Sequence, residues 1–293
     1  MIHALPSAVA QARQLASRLG LSVHTIDVHR FPDSELRVTV GPVAPTTIVY
    51  APFDQPNEKL LAILFAAEAL RREGARRLVL VAPYLCYMRQ DAAFHKGEAI
   101  SQKVIGPVLA RSFDRIVTVD AHLHRTKEIT DVFPGSEAED LAATPAIARF
   151  LHENGFDRQC VVVGPDDESL PWVEDLAGRL GLACAVAHKT RRGDHSVEMA
   201  FSDAGIFRGC PVLLVDDIVS SGATLIACAQ AVRAAGATTI DAIITHALFA
   251  PELLGEFLRA GIRSVRSTDS VPHPTNAIAL DEILAETLRN ELG

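Results

Sequence analysis

The most restrictive stretch of the chain is Pro211 to Thr224, which reads Pro-Val-Leu-Leu-Val-Asp-Asp-Ile-Val-Ser-Ser-Gly-Ala-Thr. Four apolar residues, Val212 to Val215, lead directly into two acids and then a set of small residues. This is the pattern of a buried parallel strand that delivers its C-terminal end into a loop. Leu225, Cys228, Ala229, Val232 and Ala235 then repeat at helical spacing, and Gly236 stands where a left-handed C-terminal cap is expected. The loop is therefore a strand-to-helix turn. Backbone N–H groups of Ser220, Ser221, Gly222, Ala223 and Thr224, at the positive end of that helix, form a concavity for a phosphate, and three hydroxyls add hydrogen-bonding capacity. Gly222 lets the backbone come close. Asp216 and Asp217 repel such a dianion and need a different ligand, for which vicinal hydroxyls are suited. An acid pair beside a phosphate cradle describes a sugar phosphate. The competing reading is an ordinary strand-helix junction with an aspartate N-cap.

Composition narrows the rest. A chain of 293 residues with 48% hydrophobic content buries a sizeable core and fits two α/β domains. A net charge of -8 with no Lys/Arg-rich block argues against a nucleic-acid partner, so anionic ligands must be met by local cations. Five scattered cysteines suit reduced thiols in a cytoplasmic protein and imply no zinc site. Met1 to Gly20 lacks the pattern of a signal peptide and reads as a first helix. Nowhere do eighteen apolar residues run together, so no membrane span is expected.

Along the chain, Val23 to Val28 and Leu36 to Val40 read as strands around an exposed loop, Arg30-Phe31-Pro32-Asp33-Ser34-Glu35. A strand at Ile48 to Tyr50, a helix from Asn57 to Glu73 and a strand from Arg77 to Ala82 form a right-handed crossover, which predicts a parallel sheet with ligands at its carboxyl edge. A long loop follows at that edge and offers Arg89, Gln90 and Asp91, with Arg89 placed to grip phosphate. A helix from about Ser101 to Phe113 and a strand from Ile116 to Val119 bring His122 to the same edge. A domain boundary is expected near Gly135 to Leu141. Beyond it come a helix, Ala142 to Asn154, a strand from Cys160 and then Gly164-Pro165-Asp166-Asp167-Glu168-Ser169. These acids suit magnesium, sugar hydroxyls or a helix start equally. Lys189-Thr190-Arg191-Arg192 leads into a hairpin with its tip at Gly193-Asp194, either a solvated edge or a lid over phosphates.

Taken together, these segments resemble the ribose-phosphate pyrophosphokinase family from about Val23 to the C-terminus. Arg30 to Glu35 is similar to the family's adenine-binding loop, Arg89-Gln90-Asp91 to its nucleotide segment, and Thr118-Val119-Asp120-Ala121-His122 to the segment whose histidine touches metal and ATP. Lys189 and Arg191 resemble its catalytic pair, and Asp216 to Thr224 its ribose 5-phosphate loop. The pattern departs at Asp167-Glu168-Ser169, where many members carry Ala-Gly-Gly.

The resemblance implies two tandem type I phosphoribosyltransferase-like domains, each a mainly parallel sheet flanked by helices. They would cover residues 1–140 and 141–275, with a C-terminal helix in 276–293 packing back on the first domain. It implies transfer of a diphosphoryl group from ATP to ribose 5-phosphate, giving phosphoribosyl pyrophosphate (PRPP) and AMP, with Mg2+ as cofactor. ATP would be held by Phe31, Asp33, Glu35, Arg89, Gln90, Asp91 and His122. Ribose 5-phosphate would be held by Asp166, Asp216, Asp217 and the 220–224 turn, and the metal by His122 and Asp166. The partner would be a second copy of the chain, in a homodimer or higher oligomer that shares the ATP site. The rival readings are a phosphoribosyltransferase that uses PRPP and a non-catalytic regulatory homologue.

Overall fold

The computed structural model describes residues 1–123, 125–192 and 196–292, with only the backbone described at 189–192 and 196–198. Two compact units divide the chain: residues 1–141, 270–272 and 280–293 form the first, and 142–269 with 273–279 the second.

The first unit is built on a six-stranded, wholly parallel sheet. Its strands are β1 (Ile2–Ala4), β2 (Val23–Thr25), β5 (Thr46–Tyr50), β6 (Arg77–Ala82), β7 (Arg115–Val119) and β8 (Glu137–Leu141), in the order β2-β1-β5-β6-β7-β8. The intervening β3 (Asp27–Arg30) and β4 (Leu36–Thr39) make a separate antiparallel hairpin. Helices α1 (Val9–Leu19), α2 (Pro56–Arg72) and α3 (Ser101–Ser112) supply the crossovers, and a terminal helix, Asp281–Leu288, lies against α1 through Arg18 and Asp281 (2.5 Å). Strands β6 and β7 are almost wholly buried, as their unbroken apolar runs require.

Three findings differ from the sequence reading. Met1 to Gly20 is not all helix, because Ile2–Ala4 first forms a strand between β2 and β5. Its three residues are fully buried, so two neighbouring strands hold a segment too short to show a period of its own. Glu137–Leu141 is a strand rather than a linker, and Arg77 and Arg115 hold its acids Glu137 and Glu139. Val23 to Val28 is not one strand: β2 ends at Thr25 in the parallel sheet, and β3 begins at Asp27 in the separate hairpin with β4.

The second unit repeats the plan. Its sheet is again wholly parallel, in the order β10-β9-β13-β14-β15-β16, with β9 (Val161–Gly164), β10 (Ala183–Val186), β13 (Val212–Val219), β14 (Ile240–Ala247), β15 (Ile262–Thr268) and β16 (Asn276–Ile278). Helices α4 (Thr144–Asn154), α5 (Leu170–Leu180), α6 (Ala223–Ala234) and α7 (Leu254–Ala260) flank it. Strands β11 (His188–Arg192) and β12 (Ser196–Ala200) pair antiparallel as an excursion between β10 and β13. The core packs Val163, Leu214, Ile244 and Val232 around the buried rings of Phe207 and Phe257.

Strand order reverses between β9 and β13, because β9 leads to β10 on one side while β13 and its successors extend the other. A doubly wound sheet opens a ligand crevice outside the carboxyl ends of its strands at such a point. In the first unit the reversal lies between β1 and β5. Among the described residues no helix is long and apolar enough to cross a membrane.

Candidate functional site

Asp166 follows β9 and Asp216 to Thr224 close β13, so the two segments flank the reversal point of the second sheet. The acids stand within the strand rather than after it. The β13–β14 ladder continues to Val219 opposite Ala247, and the Leu248 N–H donates to Val219 O (2.9 Å), which draws both acids and Ile218-Val219 into the sheet. Burial raises the Asp216 carboxyl well above the ordinary carboxylate range, and the negative charges of Asp217 and Asp166 raise it further. The three acids therefore share one electrostatic site. Asp217 is buried, and its Oδ1 accepts from the Ile218 N–H (2.7 Å). Cys228, on the buried face of α6, feels Asp216 and Asp166. Its thiol is pushed up to about 12, first by burial and then by those acids, so it is no nucleophile.

The turn after β13 leaves Ser220 and Ser221 exposed and opens α6, whose leading N–H groups lack intrahelical acceptors. Gly222 is required for a reason beyond ligand approach. Its φ is +73°, and a Cβ there would lie 2.5 Å from Leu253 Cδ2 and 2.6 Å from Phe257 Cε1. Core packing from the side of α7 thus sets the turn from behind.

The departure at 167–169 has a local logic. Residues Asp167–Ser169 form a helical turn leading into α5, so the helix-start reading describes their backbone. Ser169 Oγ donates to Asp166 O (2.5 Å), and a Cβ on Gly164 would fall 1.9 Å from that same oxygen. Asp167 takes a second task that the sequence did not suggest. Its carboxylate meets His188 Nδ1 (2.5 Å), while His188 Nε2 meets Ser202 Oγ (2.9 Å). Both strands of the β11–β12 hairpin are thereby fastened at their base. Lys189 and Arg191 lie on β11, opposite Met199 and Val197 in the ladder. Their side chains, and the Gly193-Asp194 tip, lie outside the described residues.

In the first unit, Arg89, Gln90 and Asp91 follow β6 and His122 follows β7, two adjacent parallel strands, so the fold brings them to one carboxyl edge. Arg89 is exposed and His122 is half-buried. The Gln90 amide donates to Ala92 O (3.2 Å) and so shapes its own loop. Asp91 is buried and faces the protein, accepting from the Arg125 N–H (3.1 Å) and from Arg125 Nη1 (2.8 Å). Sequence reasoning passed over Arg125, although it stands three residues after His122. Phe31, Asp33 and Glu35 form the tip of the β3–β4 hairpin, whose first strand follows a different sheet strand, β2. There Phe31 is 38% exposed and meets the His29 ring edge-on at 4.7 Å, and Asp33 Oδ1 accepts from the Glu35 N–H (3.2 Å).

Comparison with known proteins adds independent findings. Residues 1–112 match the model for the N-terminal domain of ribose phosphate pyrophosphokinase, and residues 137–280 match the phosphoribosyl transferase domain. The chain is 30% identical over 295 residues to a ribose-phosphate pyrophosphokinase of Methanopyrus kandleri, covering 100% of both chains. It is 31% identical over 262 residues to one from Thermococcus kodakarensis, covering 89% of this chain and 91% of the relative. Among solved structures, phosphoribosylpyrophosphate synthetase from Mycobacterium smegmatis superposes with a TM-score of 0.85 at 26% identity, covering 100% of this chain and 99% of that one.

Proposed function

The chain belongs to the ribose-phosphate pyrophosphokinase family, and from that premise we propose that it transfers the β,γ-diphosphoryl group of ATP to the C1 hydroxyl of ribose 5-phosphate, giving PRPP and AMP. The observation that carries the reading is the union of Asp166, Asp216 and Asp217 with the 220–224 turn at the reversal point of a parallel sheet. Helix-terminal N–H groups and serine hydroxyls take the 5-phosphate, and the acids take the ribose hydroxyls.

The chemistry needs little covalent help. The ribose O1 attacks the β-phosphorus in line, the bond from that phosphorus to the α,β-bridging oxygen breaks, and the O1 proton leaves with the departing AMP or solvent. Catalysis of such a step rests on position and charge. Lys189 and Arg191 are assigned to the charge that builds on the transferred group, a role worth about a hundredfold or more in rate for one cation. Arg89, Gln90 and His122 are assigned to the nucleotide. Phe31, Asp33 and Glu35 are assigned to the adenine of a neighbouring copy.

Mg2+ suits the donor set. Asp216 is raised partly by the negative charges of Asp217 and Asp166, which a cation would relieve, and among the described residues no three His, Cys, Asp or Glu side chains form a protein-only cage. Magnesium, which prefers oxygen ligands, would be held by Asp166 together with substrate phosphate oxygens, and His122 keeps the metal role that the family resemblance gives it. When bound it screens the triphosphate.

The test measures ATP consumption with and without ribose 5-phosphate, and PRPP consumption with a purine or pyrimidine base. Consumption of ATP that depends on the sugar phosphate supports the reading. Base-dependent consumption of PRPP without an ATP requirement would make the chain a phosphoribosyltransferase instead.

A further inference from the structure

Asp91 and Arg125 make an arrangement that the assigned roles do not use. The Asp91 side chain is 1% exposed while its partner's is 58% exposed. A buried carboxylate is costly unless it is paired and hydrogen-bonded, and both of its oxygens are engaged by one residue, Oδ2 by the Arg125 backbone and Oδ1 by Nη1. The guanidinium also lies over the Phe94 ring, 5.2 Å from its centroid, and that ring is itself 54% exposed. Thr126 Oγ1 donates to Gln102 Oε1 (2.8 Å), which ties the next residue to α3. Arg125 is thus fixed in its backbone, at one nitrogen and on one face.

A long, flexible side chain loses considerable rotamer entropy when held this way, a loss that neutralising the buried Asp91 carboxylate offsets. A guanidinium carries five N–H donors in a rigid fork, and among the described residues this one spends a single donor on Asp91. Arg125 lines a cleft together with Lys103 and Lys127, with Asp131 as the only acid there among the described residues. Local charge is positive in a chain whose net charge is -8. Arg89 stands on the same sheet edge.

We propose that Arg125 is a phosphate-binding residue for the nucleotide's polyphosphate, and that Asp91 acts through it as a positioning residue rather than by touching ATP. The inference rests on the proposed function above and gives that site a residue and a division of labour.

The experiment compares Asp91→Asn, Arg125→Ala, Arg125→Lys and the Asp91→Asn/Arg125→Ala double variant, using steady-state kinetics and direct calorimetric binding of magnesium-ATP. Arg125→Ala should raise the KM and Kd for ATP about tenfold or more, the usual scale for losing a hydrogen bond to a charged group, with the KM for ribose 5-phosphate unchanged. Asp91→Asn should reproduce much of that rise, and the double variant should be no worse than Arg125→Ala alone, because the two residues form one device. Arg125→Lys keeps a cation for Asp91 but loses the fork. It should fold normally and bind ATP with intermediate affinity, which decides the matter if the alanine variant does not fold. Normal ATP binding by folded Arg125→Ala or Arg125→Lys overturns the proposal. So does additive damage in the double variant, which would mean that Asp91 meets ATP directly. Unchanged ATP kinetics with an altered response to inorganic phosphate would place the anion outside the nucleotide site and overturn it as well. A wild-type chain that consumes no ATP with ribose 5-phosphate would contradict the proposed function, a distinct result.

Discussion

Asp216 carries the sharpest tension between stability and function. Its carboxyl titrates above the ordinary range because burial and two neighbouring acids disfavour its charge. Between the ordinary carboxylate pKa and the raised one the folded state holds a proton that the unfolded state has released, so stability falls as pH rises through that window. Replacing Asp216 with Asn should raise the melting temperature of the ligand-free protein by roughly 2–4 °C at neutral pH. The gain should be larger at pH 8 than at pH 5, and affinity for ribose 5-phosphate should collapse. Differential scanning fluorimetry at several pH values checks this. A variant less stable at every pH would show that the carboxylate is a structural partner. Asp217→Ala should raise the ribose 5-phosphate KM with a smaller change in kcat, since the proposed hydroxyl contact would form before the transition state. Lys189→Ala should lower kcat by about two orders of magnitude with little change in sugar-phosphate binding. The acids and the small-residue turn were readable because strand, acids and helix stood in one uninterrupted run. The pairing of Asp91 with Arg125 was not readable, because a sequence gives no sign of which way a loop carboxylate turns, and the buried pair exists only in three dimensions.

At the scale of elements, the parallel strands β6, β7 and β13 were legible because burial on both faces leaves a continuous apolar run. Strand β8 was not, since Glu137-Ala-Glu-Asp-Leu at a sheet edge carries no such run and takes its conformation from the β7 ladder and two arginines. The 167–169 departure also becomes intelligible at this level. The Ser169 hydroxyl occupies the space that a Cβ on Gly164 would need. Gly164→Ala should therefore destabilise the second unit by about 1–3 kcal/mol, the usual cost of overpacking, and Ser169→Gly in the same chain should recover part of the loss. Denaturant unfolding of the two single variants and the double variant measures the coupling, and strict additivity would show that the two positions do not compete for space.

For the whole molecule, the duplicated parallel-sheet plan followed from the sequence, and the proposed sharing of the ATP site between copies is tested at this scale. An exposed Phe31 at the tip of the separate β3–β4 hairpin suits a ring that serves a second copy of the chain. Mixing Phe31→Ala with Lys189→Ala should restore some activity, because each variant supplies the half that the other lacks. Activity no greater than the sum of the parents, with subunit exchange demonstrated, would give each chain its own complete site. The central claim is more direct and concerns which bond of ATP breaks. Phosphorus NMR of a reaction containing ATP, Mg2+ and ribose 5-phosphate should show AMP and a sugar carrying a diphosphate at C1, in equal amounts. ADP accompanied by a singly phosphorylated C1 would contradict it.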